Sequence, residues 1–107
     1  MLVIDGSALE TAAEFHRMVR GYPGVPEWYG MNNDALLDTI RGLVGRPFGI
    51  VWFNSAISQV RLGTDFEKIV ATLRFAEQDD AETEAQTEEF RLRLIPTGVD
   101  FVPRGAS

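Results

Sequence analysis

The sequence predicts a small α/β sandwich built on a single core. Three observations carry that prediction. Short apolar runs alternate with segments of helical periodicity, in the order strand, helix, helix, strand, helix, strand. The central apolar run is continuous, which suits a strand in a covered parallel sheet. Finally, 107 residues with a 45% apolar fraction suffice for one compact core but not for two. No internal repeat or second domain is visible.

Leu2-Val3-Ile4, ended by Asp5-Gly6, is the first expected strand. Ser7-Ala8-Leu9-Glu10 has capping-box spacing, with a hydroxyl and a carboxylate placed to satisfy free amides, so a helix is expected to start there. Phe15, Met18, Val19 and Tyr22 follow at helical spacing, and Gly21, Pro23, Gly24 and Pro26 end the helix in a stiff connector. A second helix is expected from Asn32, with Asn32 or Asn33 as its cap. Leu36, Ile40 and Leu43 form its apolar stripe, flanked by Leu37 and Val44, and Gly45-Arg46-Pro47 stops it.

Phe48 to Phe53 is almost unbroken apolar sequence, as expected of a strand buried on both faces. Asn54 to Leu62 accommodates one or two helical turns without specifying them. Thr64-Asp65-Phe66-Glu67 is a second capping-box pattern, and Phe66, Ile69, Val70 and Leu73 then recur at core-facing spacing. The Glu-, Ala- and Gln-rich stretch from Gln78 to Glu89 either prolongs that helix or forms a solvated acidic loop. Propensity favours helix; like-charge repulsion opposes it. Phe90, Leu92 and Leu94 alternate with Arg91 and Arg93, the pattern of a half-buried strand. The arginines and Pro96 suit a sheet edge that must not recruit another chain. Val99 to Val102 either adds one more short strand or belongs to a loose tail.

Composition narrows the function. There are no cysteines, which excludes a disulfide scaffold, thiolate metal sites and thiol catalysis. Met1-Leu2-Val3-Ile4-Asp5 lacks the basic start and long apolar run of a signal peptide, and no apolar stretch is long enough to span a bilayer, so a cytoplasmic location and no membrane partner are expected. Net charge is −6, and seven of the sixteen acids lie between Glu77 and Glu89 with no Lys or Arg among them. Such a chain is a poor phosphate binder, which disfavours nucleic acid as a partner and favours a basic protein.

A search for catalytic chemistry finds little. His16 is the only histidine; it falls mid-helix beside Phe15, with no cysteine and no serine in a nucleophile-elbow context. It is expected to be a surface or structurally satisfied side chain, the alternative being a catalytic base. No Gly-rich phosphate loop is present. Asp79, Asp80, Glu82 and Glu84 lack the central glycine and ligand spacing of a calcium loop, so a solvated acidic segment is expected rather than a metal site. The expectation is a binding protein with no enzymatic activity, no cofactor and no metal.

The segment from Pro26 to Ile40 stands apart. Trp28 and Tyr29 are adjacent large aromatics in a connector, where they serve either as a lid over the core or as contact anchors. Asp34 and Asp38 are four apart, so a helix places both carboxylates on one face, away from the Leu36–Ile40–Leu43 stripe. Asp34, near the helix start, gains from the dipole; Asp38 gains little, and the two repel. That face is either an ordinary solvated surface or a place for a partner.

Pro26-Glu27-Trp28-Tyr29-Gly30, followed by Asn32, Asp34-Ala35-Leu36 and Asp38, resembles the signature of the barstar family of ribonuclease inhibitors. Ile4-Asp5-Gly6, Phe48 to Phe53 and Phe90 to Ile95 are similar to that family's three strands, so the resemblance covers residues 2–96. It implies a small two-layer fold with a three-stranded parallel sheet packed with three to four helices. It also implies an inhibitor domain over 1–96, with 97–107 as a C-terminal extension.

By motif position, Asp38 corresponds to the aspartate that occupies the nuclease's phosphate pocket, and Asp34 to a second acid on the basic cleft. Trp28 corresponds to an aromatic packing on the nuclease, with Tyr29, Gly30 and Asn32 in the same signature, and Gly42-Leu43 to a further contact pair. The family also uses an acid on its last helix, for which Glu77 and Asp79 are candidates.

Some positions depart from the pattern. Asn33 stands where the relative has leucine, Leu37 and Leu43 where it has tryptophan, and Met31 where it has an acid. The implied partner is a secreted microbial, guanyl-preferring ribonuclease with a basic active-site cleft, bound by a chain that is monomeric when free. The alternative is an interaction or immunity module whose partner is not a ribonuclease.

Overall fold

A computed structural model describes residues 1–42, 48–81 and 90–97. Three strands, β1 (Leu2–Asp5), β2 (Phe48–Phe53) and β3 (Phe90–Ile95), form a parallel sheet in the order β1-β2-β3. Helices α1 (Ala12–Arg20) and α2 (Asn33–Gly42) connect the first pair, and α3 (Ser55–Leu62) and α4 (Thr64–Ala81) the second. This is the small α/β fold expected, with four α-helices among the described residues.

Strand order explains how the sheet is covered. Moving from β1 to β2 to β3 in one direction, two right-handed crossovers place both helical connections on the same face. Leu2, Ile4, Phe48, Ile50, Trp52, Phe90 and Leu92 point to that face and are buried. The opposite face carries Val3, 53% exposed, the half-buried Val51 and Phe53, and the exposed Arg91 and Arg93. The expectation that β2 would be buried on both faces is therefore corrected: its second face is only half covered. The alternation expected in β3 holds.

Trp52 sits at the centre of the core, fully buried between Phe15, stacked at 5.1 Å, and Phe66, edge-on at 5.2 Å. Its indole N–H donates to Ser58 Oγ at 3.0 Å, so the one polar atom of the ring is satisfied. Ser58 in turn donates to the Gly6 carbonyl. Gly6 admits no larger residue: a Cβ there would lie 2.4 Å from the Asn54 carbonyl oxygen and from Ser58 Oγ.

The first helix starts later than expected. Ser7 lies in a 3₁₀ turn, Gly6–Ala8, whose amide and hydroxyl both donate to Asp5 Oδ1. These bonds, with a third from Asn54, hold the Asp5 carboxyl below its ordinary range. Arg61 donates to the Ser7 and Leu9 carbonyls, engaging groups a helix would need. The capping box belongs instead to Thr11 and Glu14, which repeat the same spacing four residues on. Thr64 of the second expected box is already helical and follows Gly63 at φ 59°, and the Phe66 and Glu67 amides donate to the Gly63 carbonyl.

The region from Asn54 resolves into a two-turn helix, and the start of the acidic stretch continues α4 as far as Ala81. Residues 82–89, the Gly45-Arg46-Pro47 stop and the possible strand at Val99–Val102 lie outside the described residues. No helix among the described residues is long and apolar enough to cross a membrane.

Candidate functional site

The candidate face is built on α2 and the loop before it. Asn32 caps the helix: its Oδ1 accepts from the Ala35 amide at 2.8 Å, while its Nδ2 donates to the Gly30 carbonyl at 3.3 Å. Its side chain is thereby engaged at both ends and positions the loop. A turn closed by the Tyr29 amide on the Pro26 carbonyl, and Met31 at φ 59°, fix the path into that cap. A Cβ at Gly30 would come within 3.2 Å of Ala35 Cβ, so the loop lies close against the helix start.

The two aromatics of this loop divide. Trp28 is 75% exposed, the expected placement for an anchor. Tyr29 is 4% exposed, and its hydroxyl meets His16 Nδ1 at 2.8 Å in the core. Tyr29 therefore faces the core and not the solvent. Burial pushes its phenol up, and its side chain ties the loop to α1. Burial alone also lowers the His16 pKa, which keeps the ring neutral and makes it a structurally satisfied histidine.

Asp34 and Asp38 both point to solvent, opposite the buried Leu36 and Ile40. Among the described residues neither carboxylate makes a hydrogen bond or ion pair. Leu37 is half-buried and packed on the core, and Gly42 is exposed with nothing near its Cβ direction. Asn33 is half-buried, and its Oδ1 is enclosed without a partner among the described residues. Leu43 and the Asp79 side chain lie outside the described residues.

Glu77 is placed elsewhere. Its Oε2 accepts from the Leu92 amide of β3 at 2.9 Å, and its Oε1 pairs with Arg74 at 3.0 Å. Arg74 also donates to the Leu92 carbonyl. The pair satisfies both backbone groups at one position of the outer edge of β3, so Glu77 acts here as an edge clamp.

Two residues of this region escaped the sequence reading. Arg41 ends the exposed stripe of α2, and Phe75 of α4 lies beneath its guanidinium, 5.6 Å from carbon to ring centre. The signal for Phe75 was present: it falls two residues after Leu73, off the core-facing stripe. Among the described residues no three acidic or histidine side chains gather where they could hold a metal.

The site therefore consists of a rigidly capped helix presenting two unengaged carboxylates, with an exposed indole at its head. Such a surface can enter a concave, positively charged site. Residues 1–95 match the family described as Barstar (barnase inhibitor). A Bacillus subtilis (strain 168) protein named "Putative ribonuclease inhibitor YrdF" is 28% identical over 78 residues, covering 73% of this chain and 86% of the relative.

Proposed function

The chain belongs to the barstar family, and on that premise we propose that it inhibits a microbial, guanyl-preferring ribonuclease by seating α2 and the Trp28 loop in the enzyme's active-site cleft. Ribonuclease inhibition is the family's function, and the name of the Bacillus subtilis relative agrees with it. The single observation that carries the reading is that Asp34 and Asp38 stand exposed and unengaged on one helix face, with Trp28 exposed in the loop that leads into that helix.

A ribonuclease cleft is positive because it binds phosphate and stabilises a developing anion. A carboxylate placed where a phosphate would lie meets arginine in charge-assisted, geometrically selective hydrogen bonds. Asp38 takes the phosphate pocket in this reading, and Asp34 the flank of the cleft. Desolvating Asp38 is costly, so the pairing must be close and multiple to yield net affinity. The acidic surface around the site also speeds encounter with a basic enzyme. Trp28 supplies apolar contact area that salt does not screen. The reading assigns the chain no catalysis and places its work in the cytoplasm of a cell that makes such a nuclease.

Titrating barnase with the full chain tests this. Activity should fall linearly to an end point at one inhibitor per enzyme, with association slowed as salt is raised. Ribonuclease activity unchanged at a large molar excess would defeat the reading.

A further inference from the structure

On α4, the side chain that reaches the rim of α2 is an aromatic and not an acid. Glu77 is turned to the β3 edge, whereas Phe75 stands 52% exposed beneath Arg41. Arg41 lies seven residues after Asp34 and three after Asp38, so it shares their stripe of α2. The exposed stripe thus runs from acid to acid to cation, ending on a phenyl ring lent by the neighbouring helix. Trp28 stands at the other end.

We propose that Phe75, braced by Arg41, is a further partner-contact residue that sets specificity, and that the ribonuclease it fits borders its basic cleft with an apolar, uncharged rim. The proposal rests on the inhibitor reading and extends it. A large apolar side chain exposed next to a charged binding face is what contact surfaces present, and aromatics are the favoured anchors. The guanidinium over the ring holds it in place before binding, so less side-chain freedom is lost when a partner closes on it. An apolar rim beside the basic cleft would bury Phe75, whereas a charged one would be desolvated against it without a partner.

Barnase serves as the probe, titrated with the full chain and with Phe75→Ala, Phe75→Leu and Asp38→Ala at low and high salt, with a thermal melt of each variant. Phe75→Ala should raise the inhibition constant about tenfold or more through faster dissociation, with its salt dependence unchanged. Phe75→Leu should recover most of that loss, and both variants should melt with the unaltered chain. Asp38→Ala should lose more and flatten the salt dependence. Undiminished inhibition by Phe75→Ala alongside the Asp38→Ala loss would overturn this proposal alone. Absence of inhibition by the unaltered chain would overturn it together with the reading beneath it.

Discussion

Two carboxylates of this molecule invite comparison, Asp38 on α2 and Glu77 on α4. Both belong to helices of the same layer, and α2 packs against α4. Asp38 makes no hydrogen bond or ion pair among the described residues, while both Glu77 oxygens are engaged, one by Arg74 and one by the Leu92 amide. Formal charge does not separate them; hydrogen-bond saturation does. A saturated carboxylate contributes to the fold, and an unengaged one held on a rigid helix remains available to another molecule.

That contrast can be broken from either side. The largest expected effect is on Asp38. Replacing it by alanine leaves a basic pocket in the partner without its counter-charge, and removing one member of a buried pair costs about 3–5 kcal/mol. Inhibition of barnase should therefore weaken by about a hundredfold or more. The free protein should be unchanged or a few tenths of a kcal/mol steadier, because a like-charge pair is relieved. A large drop in the urea midpoint with undiminished inhibition would reverse the roles given to the two acids.

Glu77→Ala should do the opposite. It strands the outward amide of Leu92 and releases Arg74, at a cost of about 1–3 kcal/mol for the lost charged hydrogen bond. The Arg74–Glu77 ion pair adds little, since the arginine is half exposed. Inhibition should persist below the new melting transition, and sedimentation should show more self-association through the uncovered strand edge. Wild-type stability in this variant would mean that the clamp is ornamental.

A smaller effect sharpens the role of Asn32. Alanine there removes the α2 cap, worth about 0.5–2 kcal/mol, and loosens the loop that holds Trp28. Resistance to denaturant and inhibition should both fall, and inhibition lost with no change in stability would instead make Asn32 a direct contact.

The smallest change is with pH. Burial lowers the His16 pKa below its unfolded value, so the neutral ring is favoured in the fold. Stability is then fully present above about pH 6.5, the ordinary histidine value, and falls as pH drops and the unfolded chain takes up the proton. One group limits the slope to about 1.4 kcal/mol per pH unit. His16→Gln should remove that component from the acid limb of a stability–pH curve. A curve of the same shape would place the titration elsewhere.

Much of the architecture was legible in the residues. The Phe48–Phe53 run and the alternation from Phe90 located strands, because a period of two and a continuous apolar stretch have few other solutions. The acid pair of α2 was equally legible, since spacing alone puts Asp34 and Asp38 on one face. What was not legible depended on neighbours distant in sequence. Ser7-x-x-Glu10 and Thr11-x-x-Glu14 are the same local pattern, and only Asn54, Ser58 and Arg61 decide that the first becomes a turn. Tyr29 and Trp28 are adjacent and chemically alike, but only Tyr29 has a buried histidine to meet. Glu77 looked available until β3 supplied an amide.

The uniform hand of the two crossovers has a practical consequence. The carboxylates of α2 look away from the sheet, so an enzyme docked as proposed and the uncovered side of the sheet would lie on opposite sides of the molecule. A fluorophore or surface tether joined at Val3 would sit far from any docked nuclease, allowing occupancy to be followed without obstructing it.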